Sequence, residues 1–250
     1  MNDLKKTKIN QHLAGRTHAV QWSGIRVMFD LADKIPGVVN LGIGQPDFDT
    51  PEFIRDAAKQ ALDDGYTRYP PAKGFSDLRE AASEKLRREN HITADPDTEI
   101  FISVGAMQVI FNAILHLVEP GDEVILIDPG YDYYSQIGLF GGVPVRVAAR
   151  EENLFKVDPQ EIQSAITSRT RLIILNSPSN PTGAVLDESQ LREIAALALK
   201  HKIFILSDEP YEHILFDGRQ HISIGSLEGM HSLTISAFTL SKSYAMTGWR

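Results

Sequence analysis

The feature that most constrains the fold is an alternation, starting near residue 98, of short apolar segments with longer segments of helical period. Each apolar segment is short and bounded by turn residues, which favours a buried strand over a helix. The predicted strands are 100–104, 124–127, 143–147, 172–175, 203–206 and 233–238. Strands that alternate with helices are typical of a mostly parallel sheet with helices on both faces, so we predict an α/β fold.

The helices are predicted from capping residues and apolar spacing. Asp158 suits the N-cap of one helix, and Pro159 suits its first helical position. The segment 187–201 carries apolar residues at positions 191, 194, 195, 198 and 199, which is the helical period. Further helices are predicted at 51–64, 76–90 and 105–117.

The beginning of the chain has a different character. It contains an amphipathic stretch around 25–31 and a segment at 40–48 that is rich in glycine and proline and is typical of a loop. A soft domain boundary is therefore predicted near residue 48.

Composition excludes several classes of function. The chain has 250 residues, 42% hydrophobic and 23% charged, which is ordinary for a soluble globular protein. A net charge of −8 argues against a nucleic-acid partner, and the lack of cysteine excludes disulfides and thiolate catalysis. The polar N-terminus and the short apolar runs predict a cytoplasmic protein with no membrane partner. The histidines lack the His-Glu-x-x-His spacing, so no metal is expected.

Polar residues follow the predicted strands at the point where each strand ends. Ligands bind outside the carboxyl ends of the strands in an open parallel sheet, so we expect these residues to share one site. They are joined there by a helix start at Gly105, Ala106 and Met107, and the side chains are those of Tyr131, Asn180, Asp208, Tyr211, Thr239, Ser241 and Lys242. Singly, each has a structural explanation: Gly105 suits a tight turn, Tyr131 suits packing, and Lys242 suits a solvated surface.

As a set, these residues match a ligand that has a phosphate, a flat ring, a pyridine nitrogen, a ring hydroxyl and an aldehyde. The helix N-terminus near Gly105 suits the phosphate, and the ring of Tyr131 suits stacking. Asp208 would keep the pyridine nitrogen protonated, which makes the ring an electron sink. Lys242 would form a Schiff base with the aldehyde and, once released, act as a general base.

Four motifs carry a resemblance to a known family. Residues 176–183 are Asn-Ser-Pro-Ser-Asn-Pro-Thr-Gly, 207–211 are Ser-Asp-Glu-Pro-Tyr, and 241–250 are Ser-Lys-Ser-Tyr-Ala-Met-Thr-Gly-Trp-Arg. An N-terminal loop at 42–51 is Gly-Ile-Gly-Gln-Pro-Asp-Phe-Asp-Thr-Pro. In this order and spacing, and over nearly its whole length, the chain resembles the class I/II aminotransferases, the fold-type I enzymes typified by aspartate aminotransferase.

The resemblance implies pyridoxal 5′-phosphate (PLP) as cofactor and an enzyme that moves the amino group of an L-amino acid to a 2-oxo acid. Lys242 would carry PLP as a Schiff base, and Asp208 would pair with the pyridinium nitrogen. Tyr211 and Asn180 would hold the ring oxygen, with Tyr131 stacked on the ring, and Asn180 would also touch the substrate. The implied catalytic residues are Lys242, Asp208 and Tyr211.

The resemblance also implies how the phosphate and the substrate are bound. The phosphate would take backbone N–H groups at 105–107, the Thr239 side chain and Arg250. Tyr69 resembles a tyrosine that reaches the phosphate of the partner subunit, which implies a homodimer. Gly44 would lie at the substrate carboxylate.

The chain departs from the family at its carboxyl end and at the aromatic residue Tyr131. Family members continue past Arg250, and the resemblance therefore implies a truncated chain with an incomplete small domain. On this basis 1–48 would be an N-terminal arm and part of the small domain, and 49–250 the large PLP-binding domain. Tyr131 replaces the tryptophan of aspartate-specific members, which leaves the amino-acid preference open.

Two alternatives to an aminotransferase stay open. One is a PLP-dependent C–S β-lyase on the same fold, because the N-terminal loop and the lysine motif do not separate the two activities. The other is a catalytically inert fragment that binds PLP without turning over substrate.

Overall fold

The computed structural model describes residues 12–19, 28, 31–32, 34–39, 42 and 44–249. Its α-helices are α1 Glu52–Asp63, α2 Ser76–Glu89, α3 Ala106–Leu117, α4 Tyr134–Leu139, α5 Pro159–Ala165 and α6 Glu188–His201. Its strands are β1 Glu123–Asp128, β2 Val143–Ala148, β3 Thr170–Asn176, β4 Phe204–Asp208 and β5 Thr234–Ala237. Short 3₁₀ turns lie at Gly15–Ala19, Glu151–Asn153, Ile224–Ser226 and His231–Leu233.

The strands form one sheet in the order β2-β1-β3-β4-β5, and every neighbouring pair is parallel. Ile173 in β3 lies opposite Ile125 of β1 on one side and opposite Ile205 of β4 on the other. This arrangement confirms the predicted α/β fold with a mostly parallel sheet. Because the strands run the same way, their carboxyl ends share one side of the sheet, which we call the carboxyl edge.

Helices pack on both faces of the sheet, and the core is divided accordingly. Successive strand residues point to opposite faces. Ile125, Ile173 and Ile205 belong to one buried cluster with side chains of α5 and α6. Leu126 and Ile174 belong to the other, with side chains of α3 and α4. These fully buried aliphatic side chains hold the strand ends, and hence the carboxyl edge, in place.

Side-chain caps fix the starts of α5 and α6, where the sequence predicts them. Asp158 accepts a hydrogen bond from the Gln160 N–H at 2.9 Å, and Pro159 is the first helical residue. Asp187 accepts from the Gln190 N–H at 3.0 Å, and the Gln190 side chain accepts from the Asp187 N–H at 3.2 Å. This reciprocal pair is a capping box.

The predicted strand at 100–104 is wrong. The segment forms no strand, and Phe101 and Val104 are 48% and 59% exposed. The Ile102 N–H donates instead to the carbonyl oxygen of Lys73 at 3.0 Å. A strand needs a neighbouring backbone, and β5 pairs with β4 alone among the described strands. The sequence also fails to predict α4, because six residues are too few to reveal a helical period.

Some predictions fall outside the described residues. These are most of the amphipathic stretch at 25–31, part of the loop at 40–48, and Arg250. Gly42 and residues 44–48 are described and form no helix or strand, as predicted. Across the described ranges, no helix combines the length and the apolar character needed to cross a bilayer.

Candidate active site

Hydrogen bonds tie the carboxyl edge together. Asn176 is the last residue of β3, and its Nδ2 donates to the carbonyl oxygen of Asp208 at 2.9 Å. Its Oδ1 accepts from the Asn180 N–H at 2.7 Å. The Glu209 N–H donates to the carbonyl oxygen of Ala237, the last residue of β5, at 2.9 Å. The segments that follow β3, β4 and β5 are therefore held side by side.

Asp208 is a buried carboxylate with one oxygen in use. The residue is 5% exposed, and its Oδ2 accepts a hydrogen bond from the Tyr133 hydroxyl at 2.7 Å. Oδ1 is buried and has no hydrogen-bond partner among the described residues. Burial raises the pKa of Asp208, the Tyr133 hydrogen bond lowers it and the charge of Glu209 raises it, and the net result is a pKa of about 6. A cationic N–H donor would satisfy Oδ1 and stabilise the ionised carboxylate.

A second buried carboxylate, Glu209, follows Asp208 directly in the chain. It is 1% exposed, and its Oε2 lies 2.6 Å from Nε2 of His221 and accepts a hydrogen bond from the Ser223 hydroxyl. Asn90, just after α2, donates to Oγ of Ser223 at 3.0 Å. This network fastens the segment after β4 to the rest of the domain.

Tyr211 and Asn180 meet at the same edge. Burial raises the pKa of the Tyr211 phenol, the charge of Asp208 raises it further, and a hydrogen bond with the Asn180 side chain lowers it. The net effect is a pKa above the ordinary value of 10.0. The phenol therefore stays protonated at neutral pH and keeps an O–H group to donate.

Lys242 lies in the turn that follows β5. Its Nζ donates to the carbonyl oxygen of Gly44 at 2.6 Å and lies 5.9 Å from the ring centroid of Tyr211. A Cβ atom on Gly44 would lie 3.6 Å from Nζ of Lys242 and 3.8 Å from the Tyr211 hydroxyl. Three predicted site residues, far apart in sequence, are thus adjacent in space.

The start of α3 offers backbone donors at Ala106 and Met107, whereas the Gly105 N–H donates to the carbonyl oxygen of Ser103 at 2.9 Å. Gly105 is the N-cap residue, no side chain caps the helix, and Ala106 and Met107 are its first two residues. The first N–H groups of a helix have no partner within it, and with the helix dipole they attract anions. The φ of Gly105 is 74° and its ψ is 169°, a conformation that is accessible essentially to glycine alone. The helix packs against β4 and β5.

The remaining predicted residues are placed in different ways. Tyr131 is partly buried after β1, with its ring edge-on to Tyr133 at a centroid distance of 5.3 Å. The Thr239 hydroxyl donates to Oγ of Ser241 at 3.0 Å and accepts from the Ser241 N–H at 3.1 Å. Tyr69 is fully exposed and so is not packed among the other site residues. Arg250 lies outside the described residues.

Sequence reasoning misses two residues that shape the site, Tyr133 and Asn176. Tyr133 stands in a run with Tyr131 and Tyr134, and nothing in the sequence distinguishes which ring reaches Asp208. Asn176 does carry a sequence signal, since a polar residue that ends an apolar strand is a candidate for holding neighbouring strand ends. Its hydrogen bonds to two later segments are visible only in the folded structure.

The donors and acceptors at the carboxyl edge fit PLP. A pyridinium N–H would give Oδ1 of Asp208 the partner that it lacks in the described structure. The Lys242 amine, the Tyr211 phenol and the helix N-terminus at Gly105 match an aldehyde, a ring oxygen and a phosphate. In the described ranges, no three or more His, Cys, Asp or Glu side chains are grouped to hold a metal ion.

Comparison with known proteins gives one consistent family. The profile described as aminotransferase class I and II matches residues 36–250. The chain is 46% identical over 239 residues to aromatic-amino-acid aminotransferase 2 of Thermococcus litoralis, which covers 95% of this chain and 61% of that relative. It is 44% identical over 239 residues to an aspartate aminotransferase of Pyrococcus abyssi, with the same two shares. The chain therefore spans about three-fifths of the length of these relatives.

Solved structures agree with this family. Aspartate aminotransferase from Thermus thermophilus, solved with maleate, superposes with a TM-score of 0.91 at 40% identity. The match covers 95% of this chain and 63% of that one. A second structure, described as Pyrococcus protein-A1, gives a TM-score of 0.92 at 45% identity, over 94% of this chain and 61% of the other.

Proposed function

Because the chain belongs to the class I and II aminotransferase family, we propose that it forms the PLP-binding part of an aminotransferase. The reaction moves the amino group of an L-amino acid to a 2-oxo acid. The observation that carries this conclusion is the buried Asp208, whose Oδ1 has no partner among the described residues. A pyridinium nitrogen is a donor of the right charge for that oxygen.

PLP, on which the family depends, supplies an electron sink when bound. Asp208 holds the ring nitrogen protonated, because an ionised carboxylate stabilises a cationic N–H partner. Tyr211 and Asn180 hydrogen-bond the ring oxygen. The backbone N–H groups of Ala106 and Met107 and the Thr239 hydroxyl would bind the phosphate, for which a helix N-terminus is electrostatically suited.

Lys242 has two roles in this proposal. Its Nζ would hold the cofactor covalently and, once released, would be the base that accepts the proton from the substrate Cα. Nζ lies 2.6 Å from the carbonyl oxygen of Gly44, which supports a base positioned beside the loop that receives the substrate carboxylate. Tyr131 would stack on one face of the ring.

The wider organisation is proposed on the same basis. Residues 1–48 form an N-terminal arm and part of a small domain, and 49–250 form the large domain. The enzyme is a cytoplasmic homodimer in which Tyr69 reaches the phosphate held by the partner subunit, and Arg250 binds the phosphate of its own. The full exposure of Tyr69 supports a position at a subunit surface.

Activity is tested by mixing the chain with PLP, an amino acid and a 2-oxo acid, and measuring the new amino acid formed. A second version, extended at its carboxyl end to the length of the relatives, is assayed in parallel. We expect amino transfer with ping-pong kinetics, since the two substrates alternate on one site. Asp208→Asn is the inactive control, and Asp187→Ala is the control for a carboxylate that bonds Gln190 and Lys156 and none of the proposed site residues.

Other outcomes reassign the function. Pyruvate and ammonia released from cystathionine without a 2-oxo acid would identify a C–S β-lyase. PLP binding without either reaction, in both versions, would identify an inert binding module.

A further inference from the structure

Tyr133 is buried beside Asp208 and belongs to none of the sequence motifs of the site. The residue is 4% exposed, and its hydroxyl donates to Oδ2 of Asp208 at 2.7 Å. It reaches the carboxylate from the loop between β1 and α4, across a separation of 75 residues. A buried hydroxyl aimed at a buried carboxylate is a specific contact, because either group alone would be left without a partner.

The hydrogen bond from Tyr133 makes the two carboxylate oxygens of Asp208 different. Oδ2 is occupied by Tyr133, whereas Oδ1 has no hydrogen-bond partner in the described chain. A carboxylate held at one oxygen loses rotational freedom and presents the other in a fixed direction. Without Tyr133, either oxygen would be available and the group would turn about its χ2 bond.

The surroundings of Asp208 otherwise favour its neutral form. Burial and the charge of Glu209 both raise its pKa, and the Tyr133 hydrogen bond is the influence that lowers it. The other titratable groups at this place are Tyr131, on the same loop as Tyr133, and Tyr211, after β4; the charge of each acts on the Tyr133 phenol. Lys242 faces Tyr211 from the turn after β5.

We propose that Tyr133 is a positioning residue of the proposed PLP site, which holds Asp208 ionised and oriented so that Oδ1 receives the pyridinium N–H. This inference rests on the proposed function. Tyr133 itself touches neither the substrate nor the reacting atoms. It acts through Asp208 by favouring the protonated ring nitrogen, on which the strength of the electron sink depends.

The test uses Tyr133→Phe, which keeps the buried ring and removes only the hydroxyl. The matched control is Tyr134→Phe, one residue later, where the ring lies 4.6 Å from the guanidinium carbon of Arg146. The first readout needs no cofactor: the Asp208 carboxyl carbon is titrated by ¹³C NMR, with Asp208→Asn to assign the signal. The second readout is the ¹⁵N chemical shift of the ring nitrogen in the chain loaded with ¹⁵N-labelled PLP.

We expect Tyr133→Phe to raise the Asp208 midpoint by about one pH unit above that of the wild-type chain, and Tyr134→Phe to leave it unchanged. In the loaded chain, Tyr133→Phe should lower the protonated fraction of the ring nitrogen at pH 7.5. A merely structural role for Tyr133 would move neither value. An unchanged Asp208 midpoint, or a ring nitrogen as fully protonated as in the wild type, would overturn the inference.

The two proposals fail in different ways. If PLP does not attach to Lys242 in the wild-type chain, the proposed function is wrong, and so is the role of Tyr133 at the ring nitrogen. The cofactor-free titration would then still report the Tyr133–Asp208 hydrogen bond. If PLP attaches to Lys242 and Tyr133→Phe changes neither readout, the failure belongs to Tyr133 alone.

Discussion

The interior of the sheet and its carboxyl edge are buried to the same degree but have opposite chemistry. In the interior, Ile173 and Ile205 are 0% exposed and are surrounded by apolar side chains. At the edge, Asp208 and Glu209 are 5% and 1% exposed, and each has one carboxylate oxygen without a hydrogen-bond partner among the described residues. Equal burial therefore stabilises one region and destabilises the other.

The magnitudes explain why both regions are needed. Burying one large aliphatic side chain stabilises a fold by about 1.5–3 kcal/mol. An unsatisfied buried polar group costs about 1–3 kcal/mol, and more when it is charged. The apolar clusters of the interior offset the unsatisfied groups at the edge, which remain available to a ligand.

The largest expected effect is in the interior. Ile173→Ala should lower the free energy of unfolding by about 2–5 kcal/mol, because it removes buried methyl groups and leaves a cavity between the sheet and the helices α5 and α6. The Asp208 midpoint, measured by ¹³C NMR, should not change. Urea unfolding measures the stability, and a loss below about 1 kcal/mol would show that the interior is looser than its burial indicates.

Asp208→Asn should have the opposite effect, and make the cofactor-free chain more stable than the wild type at neutral pH. The folded-state pKa is raised from 3.8 to about 6, so the folded chain binds this proton more tightly than the unfolded chain. The stability linked to the proton is fully present below pH 3.8 and is lost as pH rises through about 6. One pKa unit corresponds to about 1.4 kcal/mol, so the wild type should lose roughly 3 kcal/mol relative to Asp208→Asn.

This difference is measured by urea unfolding of both proteins between pH 4 and pH 7.5. All other titrations are shared and cancel in the comparison. A constant gap between the two curves would show that Asp208 titrates normally, and that the edge is less unfavourable for charge than its burial indicates.

Gly105→Ala probes the backbone of the edge. A φ of 74° with ψ of 169° is strained for any residue with a Cβ, so we expect a loss of about 1–3 kcal/mol in stability. Gly121→Ala is the matched control, since Gly121 has a φ of 93°, has open space around it and precedes β1 at the other end of the sheet. Gly105→Ala should also weaken PLP binding by about tenfold, whereas Gly121→Ala should not. Equal PLP affinities, measured by titration, would place the phosphate elsewhere.

Asp187→Ala gives the smallest effect and the sharpest contrast. It removes the N-cap of α6 and the capping box with Gln190, for an expected loss of about 1 kcal/mol. Because this carboxylate bonds Gln190 and Lys156 and none of the proposed PLP-binding residues, its loss should leave PLP binding unchanged. Thermal unfolding and PLP titration together check the point. A change in PLP affinity would mean that the start of α6 is coupled to the proposed PLP site.

The interior is predictable from sequence because its rules are local. Apolar segments such as 172–175 and 203–206 become β3 and β4, and Asp158 caps the helix that follows it, as expected. The helix α6 begins where it is predicted, with Asp187 as its cap. The segment 100–104 is also mostly apolar and is not a strand. Pairing depends on a neighbouring backbone, which no window of sequence describes.

The edge is only half predictable for a related reason. The positions of Asp208, Asn180 and Lys242 follow from the ends of the strands, because ligand sites form where parallel strands end. The contact of Tyr133 with Asp208 depends on the path of a loop that contains three tyrosines. The roles of Arg250 and Tyr69 stay predictions, since Arg250 is outside the described residues and Tyr69 is exposed.

The central claim, a PLP site built around Lys242, is tested most directly by covalent trapping. The chain and its carboxyl-extended version are incubated with PLP, reduced with borohydride and mapped by peptide mass spectrometry, with Lys242→Ala as control. We predict one reduced PLP adduct, on the peptide that contains Lys242, and its loss in the control. An adduct spread over other lysines, or equal labelling of Lys242→Ala, would contradict the claim.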